Sequence, residues 1–386
     1  MNVLAVFAQP PSPQGGAAGR CAWALLRGLE AHGLDVHALA AQRPHPDATA
    51  APSDPAVELV DVDPYGPSWT ERLRRLRMPR SELVGLFADR VRTEAAHADV
   101  LHLDELESSW CAVPGGPPAV LHLHYLVEED RGPGAPWQRP FWTYCEERLA
   151  ERLAAKRQTE LIANSPRVAD LLRKLAPRAH VTVVPLSLDP TQYRRAPLDG
   201  APRAGLIGTL DWPPTKGAVD NLLRDVWPAV SRQVFEARLL VAGRGTDRLA
   251  SSATVDVVGR VGSSADFLDQ LSVLLYPVVR GSGMKVKVLE AMASGVPVVT
   301  TKTGAEGIAA NDGVVVAEDS AALLQATVEI LNDPKVRRER GNAALACFGE
   351  RYAPARAAQP LVGLYERLAA AGTRPKSGPQ RSSNSA

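Results

Sequence analysis

Residues 280–301 read RGSGMKVKVLEAMASGVPVVTT. Gly281 and Gly283 bracket Ser282, and a helical run carrying Lys285, Lys287 and Glu290 follows. The run closes at Gly295, and a Val-rich strand begins at once. A glycine turn that opens a helix leaves backbone N–H groups and the positive helix end aimed at one point. That point suits a phosphate. Glu290, deeper in the helix, is a carboxylate placed to grip sugar hydroxyls. Leu289, Met292 and Ala293 form the apolar face that turns to the core. The segment therefore asks for a βα setting and a nucleotide or nucleotide-sugar ligand.

The flanking sequence supplies that setting. Short apolar runs alternate with longer helical patterns, as in parallel α/β sheets. The first half predicts strands at 3–8, 36–41, 57–60, 99–103, 119–124, 161–164 and 181–184. It predicts helices over 20–32 and 141–157, with a proline-rich break at 132–140. A proline-punctuated stretch, 186–202, reads as a linker. The second half predicts strands at 204–207, 237–241, 255–258, 273–276, 296–300 and 314–316. Its helices are expected at 217–230, 265–271, 285–293, 320–331, 335–351 and 355–370. The expected architecture is two Rossmann-like doubly wound domains, 1–185 and 186–354. A helix over 355–371 and a polar tail from 372, read as disordered, follow. Two such sheets facing each other put their strand ends across a cleft, where ligands of open α/β sheets bind.

Composition narrows the partners. The 386 residues carry 44 basic and 43 acidic side chains, so no overall field favours nucleic acid. The cluster Arg72, Arg74, Arg75, Arg77 and Arg80 reads as a solvated helix face. Cys21, Cys111, Cys145 and Cys347 are scattered, which fits a reducing cytoplasm and no zinc site. The opening MNVLAVFAQPP lacks a basic region and is not expected to be a signal peptide. No run approaches the ~18 apolar residues of a membrane span, so stable membrane insertion is not expected.

Candidate site residues fall just after strands. Gly15, Gly16 and Gly19 follow the first strand and open a helix, without the spacing of a nicotinamide fingerprint. His122 and His124 share one face of a strand end, with His124 nearest the cleft. Thr209 and Lys216 lie in GTLDWPPTKG, at the start of a helix whose dipole disfavours a cation. An anion lying between explains the lysine. Arg244, flanked by glycines, can reach phosphate, and the backbone around Val261 can meet a base edge. Asp61-Val62-Asp63 matches a metal-binding DxD only formally, and no metal is expected.

Together these segments resemble the family-four retaining glycosyltransferases of GT-B fold, also described as glycosyl transferases group 1. The resemblance rests on GTLDWPPTKG, VAGRG, VGRV, YPVVRGSGMKVKVLEAMASGVPVVTTKTGAEGI and the closing ERYAPARAAQPLVGLYERL. It implies a nucleotide-diphospho-sugar co-substrate and no other cofactor. It implies that Glu290 holds ribose hydroxyls, that Lys216 binds diphosphate, and that His124 lies near the reacting carbon. The amides of Gly283, Met284 and Lys285 would be left for the donor. Ser282 stands where a second glutamate is usual, and Thr209 where an arginine is usual; Arg244 or Arg280 would replace that cation. Gly15 and Gly16 would lie near diphosphate and acceptor.

The reading is a retaining, metal-independent sugar transferase acting on a soluble small acceptor, such as a natural-product intermediate. Two alternatives stand beside it. One is a GT-B pseudo-enzyme serving as a partner protein. The other joins a sugar-like group to nitrogen or sulfur.

Overall fold

The computed structural model describes residues 1–42, 57–62, 74–311 and 313–372. Asp63, Arg72 and the polar tail from residue 373 lie outside them. Two all-parallel sheets organise the chain. The first runs β1 (Asn2–Phe7), β2 (Asp35–Gln42), β3 (Val57–Asp61), β4 (Val100–Asp104), β5 (Ala119–Leu123), β6 (Glu160–Ala163) and β7 (His180–Val183), in spatial order 3-2-1-4-5-6-7. The second runs β8 (Arg203–Ile207), β9 (Arg238–Ala242), β10 (Val255–Gly259), β11 (Val273–Tyr276), β12 (Val298–Thr300) and β13 (Val314–Val316), in order 10-9-8-11-12-13. In each, the order reverses beside the first strand of the unit, at β1/β4 and at β8/β11. That switch point opens a crevice at the carboxyl ends.

The strand readings hold to within a residue or two, because buried parallel strands are continuous apolar runs. Helix boundaries shift more. Helix α1 spans Ala17–Ala31 with Gly16 at its N-cap, so Arg20 lies inside the first turn rather than at the start. A helix over Leu86–Ala95 (α2) belongs to the fold as well. Helix α3 spans Arg139–Arg157. Helix α4 (Pro166–Leu175) was not anticipated, although Ser165 caps it through Val168 N and Pro166 starts it. The expected helix over 217–230 is three pieces: α5 (Pro213–Asn221), a π turn at Leu222–Val226, and α6 (Trp227–Gln233). Pro213, Pro214 and Pro228 explain the breaks, since proline starts helices and removes interior donors.

The last helices are α7 (Val286–Ala293), α8 (Ser320–Asn332), α9 (Pro334–Arg351) and α10 (Pro354–Gly372). Helix α10 leaves the second unit and packs on the first. Leu361, Leu364 and Tyr365 are fully buried with Val3, Val100, Val120 and Ile162 of the first sheet. Burying such side chains contributes about 1.5–3 kcal/mol each. Gly28 makes the approach possible: a Cβ there would lie 2.5 Å from Pro354 O and 2.9 Å from Ala358 Cβ.

Gly28→Ala separates two effects of opposite sign. Alanine raises helix stability by about 0.5–1 kcal/mol, whereas the clash with α10 destabilises. A net loss in urea denaturation is expected, and a net gain would mean that α10 does not dock on α1.

Candidate functional site

The glycine turn of the second domain is pressed against the first. Gly281 has φ 110° and Gly283 φ 73°, conformations that exclude most side chains. A Cβ on Gly283 would sit 2.3 Å from His124 O and 2.8 Å from Asn164 Oδ1. Ser282 is buried; its N–H and Oγ donate to Asp130 Oδ1 (2.8 and 2.6 Å), and Leu126 N donates to its Oγ at 2.8 Å. Burial pushes the Asp130 carboxyl up, against the pull of these Ser282 bonds. Around the turn, Ser165 Oγ donates to Glu306 Oε1 and Arg167 Nη1 to Glu306 Oε2 and Gly281 O.

This docking corrects one expectation. The amides of Gly283 and Met284 are not left for a ligand: Gly283 N donates to Glu306 Oε1 at 2.9 Å and Met284 N to Asn164 Oδ1 at 3.2 Å. Acceptors carried by the β6 end and by the loop after β12 reach them first. Lys285 folds its ammonium onto Ser282 O and Gly283 O, and burial lowers its pKa.

Glu290 is fully buried on α7. Its Oε1 accepts from Arg20 Nη2 (2.6 Å), Ser264 Oγ (2.5 Å) and Tyr193 OH (3.2 Å). Lys287 Nζ lies 2.9 Å from Oε2 as an ion pair. Burial opposes ionisation, but Lys287 and Arg20 outweigh it and hold the Glu290 carboxyl below the usual range. Arg20, held against Glu290, is a residue that sequence reading passed over. The signal was present: a cation in the first turn of a helix, which the dipole disfavours, is the argument that singled out Lys216.

Lys216 lies in the first turn of α5 and pairs with Asp220 on the same helix at 2.6 Å. The start of α5 borders the turn, since a Cβ on Gly281 would lie 3.5 Å from Pro214 Cγ. Thr209 sits in the loop after β8, which is clasped to the loop carrying Arg244. Leu210 N donates to Arg244 O, and a Cβ on Gly243 would lie 1.9 Å from Gly208 O. Arg244 points out toward Asp211 at 3.5 Å. Arg280 is exposed beside the turn, and Val261 packs partly buried against the core. Trp212, between Thr209 and Lys216, meets Tyr125 edge-on and lies under Arg131 of the first domain.

Across the cleft, the first domain holds a cavity of about 530 Å³. Gly15, Gly16, Arg80, Glu105, His124 and Tyr125 are among its walls. Arg80 is therefore not on a solvated face; it pairs with Glu107 and Glu147. Behind His124, three imidazoles converge on one carboxylate. Asp104 Oδ1 lies 2.9 Å from His124 Nε2, 3.4 Å from His122 Nδ1 and 3.8 Å from His102 Nε2. Tyr365 OH of α10 meets His102 Nδ1 at 2.7 Å. Burial opposes the charge on Asp104, but His124 and its neighbours hold the carboxyl well below the usual range. Burial likewise opposes protonation of His124, but Asp104 raises it. Each group thus favours the charged form of the other. Among the described residues, His102, Asp104 and His122 are the set with ligand atoms close enough to hold a metal ion. Asp61 lies apart at the β3 end.

Glu105 follows Asp104 at φ 68°, a strained value for a residue with a side chain. Gln9 Nε2 donates to both its oxygens, 2.9 and 3.1 Å. Burial, then Asp104 and Glu107, push its carboxyl up to about 7.

Two predictions follow from these geometries. Ser282→Ala removes the hydroxyl bond to Asp130, which keeps the backbone N–H of residue 282, and leaves Leu126 N without its partner; it should cost about 1–3 kcal/mol in urea denaturation. A cost near zero would show that this contact does not hold the domains. Glu105 binds its proton more tightly folded than unfolded, so between its ordinary 4.5 and about 7 stability falls as pH rises. Glu105→Gln should therefore raise Tm relative to the parent at pH 8 and not at pH 4. An equal shift at both pH values would contradict the assignment.

Two family models match the chain, Glycosyltransferase Family 4 over residues 15–192 and Glycosyl transferases group 1 over residues 201–333. The chain is 28% identical to the phosphatidyl-myo-inositol mannosyltransferase of Mycobacterium leprae over 306 residues, which is 72% of this chain and 75% of the relative. Among solved structures, Anabaena HepE in complex with UDP and glucose aligns with TM-score 0.66 at 15% identity, over 95% of this chain and 99% of that one. A glycosyltransferase from Rickettsia africae aligns with TM-score 0.62 at 11% identity, over 95% and 98%. In domain order, sheet topology and matched models, the chain belongs to the group 1, family-four glycosyltransferases of GT-B fold.

Proposed function

We propose that the chain transfers a sugar from a nucleotide-diphospho-sugar to a small acceptor, with retention at the anomeric carbon and no metal at the diphosphate. The observation that carries this reading is Glu290. It is a fully buried carboxylate at the interdomain cleft, held below the usual range, with Arg20, Ser264 and Tyr193 on Oε1 and Lys287 on Oε2. A carboxylate kept charged beside a cleft is a strong acceptor for hydroxyl donors, and ribose hydroxyls are donors of that kind. HepE was solved with UDP and glucose on the same fold.

The leaving nucleoside diphosphate gains negative charge as the glycosidic bond breaks. Stabilising that charge falls to side chains, because the Gly283 and Met284 amides are engaged and α5 opens on two prolines. Lys216 on α5, with Arg280 and Arg244 nearby, supplies it. The acceptor occupies the first-domain cavity, whose volume suits a small molecule. There His124 orients the sugar, and Glu105 accepts a hydrogen bond from the acceptor. The acceptor attacks on the face that the leaving group departs from, and its proton passes to the departing phosphate. The reaction is placed in the cytoplasm, in keeping with four unpaired cysteines.

Ser282 favours a second reading, a binding partner without turnover, because it is consumed by Asp130 and Leu126. Transfer or donor hydrolysis by the purified chain excludes it. A thermal-shift series against nucleoside diphosphates should show about 2.7 kcal/mol of stabilisation at a hundredfold excess over Kd. Glu290→Ala and Lys216→Ala should each lower turnover about 10²-fold or more while the circular dichroism spectrum is kept. Unchanged kinetics in both variants would overturn the site assignment.

A further inference from the structure

Arg20 joins the two halves of the cleft. Its Nη1 donates to Gly15 O and its Nη2 to Glu290 Oε1, each at 2.6 Å. The side chain is 15% exposed, and its Nε has no partner. The guanidinium also sits in the first turn of α1, where the helix dipole disfavours a cation. Glu290 compensates for both penalties as the structure stands.

That compensation cannot outlast donor binding unchanged. Glu290 has no solvent-facing surface, its Oε1 already takes three donors, and Lys287 Nζ lies 2.9 Å from its Oε2. A ribose that claims this carboxylate must displace one of them. Ser264 and Tyr193 are neutral hydroxyls of the second half of the chain, carried along with Glu290. Arg20 is the donor from the opposite domain, and so the one that parts when the domains separate to admit a ligand. Once parted, it is a partly buried cation without an anion, which is costly. A phosphate arriving with the ribose relieves it, since guanidinium pairs with phosphate oxygens bidentately. Two other cations of the second domain already have partners. Lys216 is tied to Asp220 and Arg244 faces Asp211, and both are mostly exposed.

We propose that Arg20 is a donor-binding residue that exchanges Glu290 for the nucleotide's diphosphate, so that one cation joins the domains through Glu290 and grips the bound donor. This rests on the nucleotide-sugar reading above.

The exchange makes two opposite demands on one variant. Calorimetric titration of UDP and uridine, with GDP and guanosine in parallel, reads both. Removing the guanidinium in Arg20→Met should weaken the preferred diphosphate at least tenfold. The matching nucleoside has no phosphate and competes with Arg20 for Glu290, so its affinity should hold or improve. Parallel losses of both would mean a structural role only, and an unchanged diphosphate affinity would equally overturn the proposal. Should Arg20→Met fail to fold, Arg20→Lys carries the same test: a several-fold diphosphate loss with the nucleoside unaffected supports the exchange, and equal losses overturn it. Binding of neither nucleotide by the unmodified chain would overturn the donor reading, and this inference with it.

Discussion

The seating of Gly283 on the carbonyl of His124 is the contact on which the rest of the molecule depends. No side chain fits there, because a Cβ would lie 2.3 Å from that oxygen and the backbone is left-handed. Asn164 spans the same junction, donating to His124 O and accepting from Met284 N. The contact joins the carboxyl ends of β5 and β6 to the loop between β11 and α7. It fixes which strand ends face each other, and thereby sets His124 and Glu290 on the two walls of one cleft. Helix α10 completes the frame by binding the first sheet through Tyr365 and His102.

Charge is handled differently on the two walls. On the first, Asp104 and His124 pair at 2.9 Å, and Glu105 is left with an amide and a raised pKa. On the second, one buried carboxylate is surrounded by Arg20 and Lys287 and stays ionised. Buried ion pairs of this sort add little net stability once desolvation is counted. Their value is positional. They hold charged groups out of water, where hydrogen bonds to an arriving ligand are stronger than in solvent.

Much of the framework was legible in the sequence, because buried parallel strands and glycine turns leave local marks. The GSG turn, Glu290, Lys216 and the strand-end His124 could each be picked out from a few adjacent residues. What could not be read was whatever depends on residues far apart in the chain meeting. The Gly283 and Met284 amides looked free because their partners, Glu306 and Asn164, lie 23 and 120 residues away. Arg20 looked like an ordinary helix residue until Glu290, 270 positions on, was brought against it. Arg80 looked like one of a row of surface arginines until Glu107 and Glu147 enclosed it. Glu105 carries no sequence mark at all, since its strain and its pKa come from the β4 end and the cavity wall.

The central claim is that a nucleotide binds between the walls that Gly283 and Glu290 define. Hydrogen–deuterium exchange with and without the stabilising nucleoside diphosphate tests it most directly, since bound ligand suppresses local opening. The account predicts that slowed exchange concentrates in peptides covering residues 13–22, 208–220 and 280–293. Protection confined to other peptides, with those three unchanged at saturating nucleotide, would contradict it.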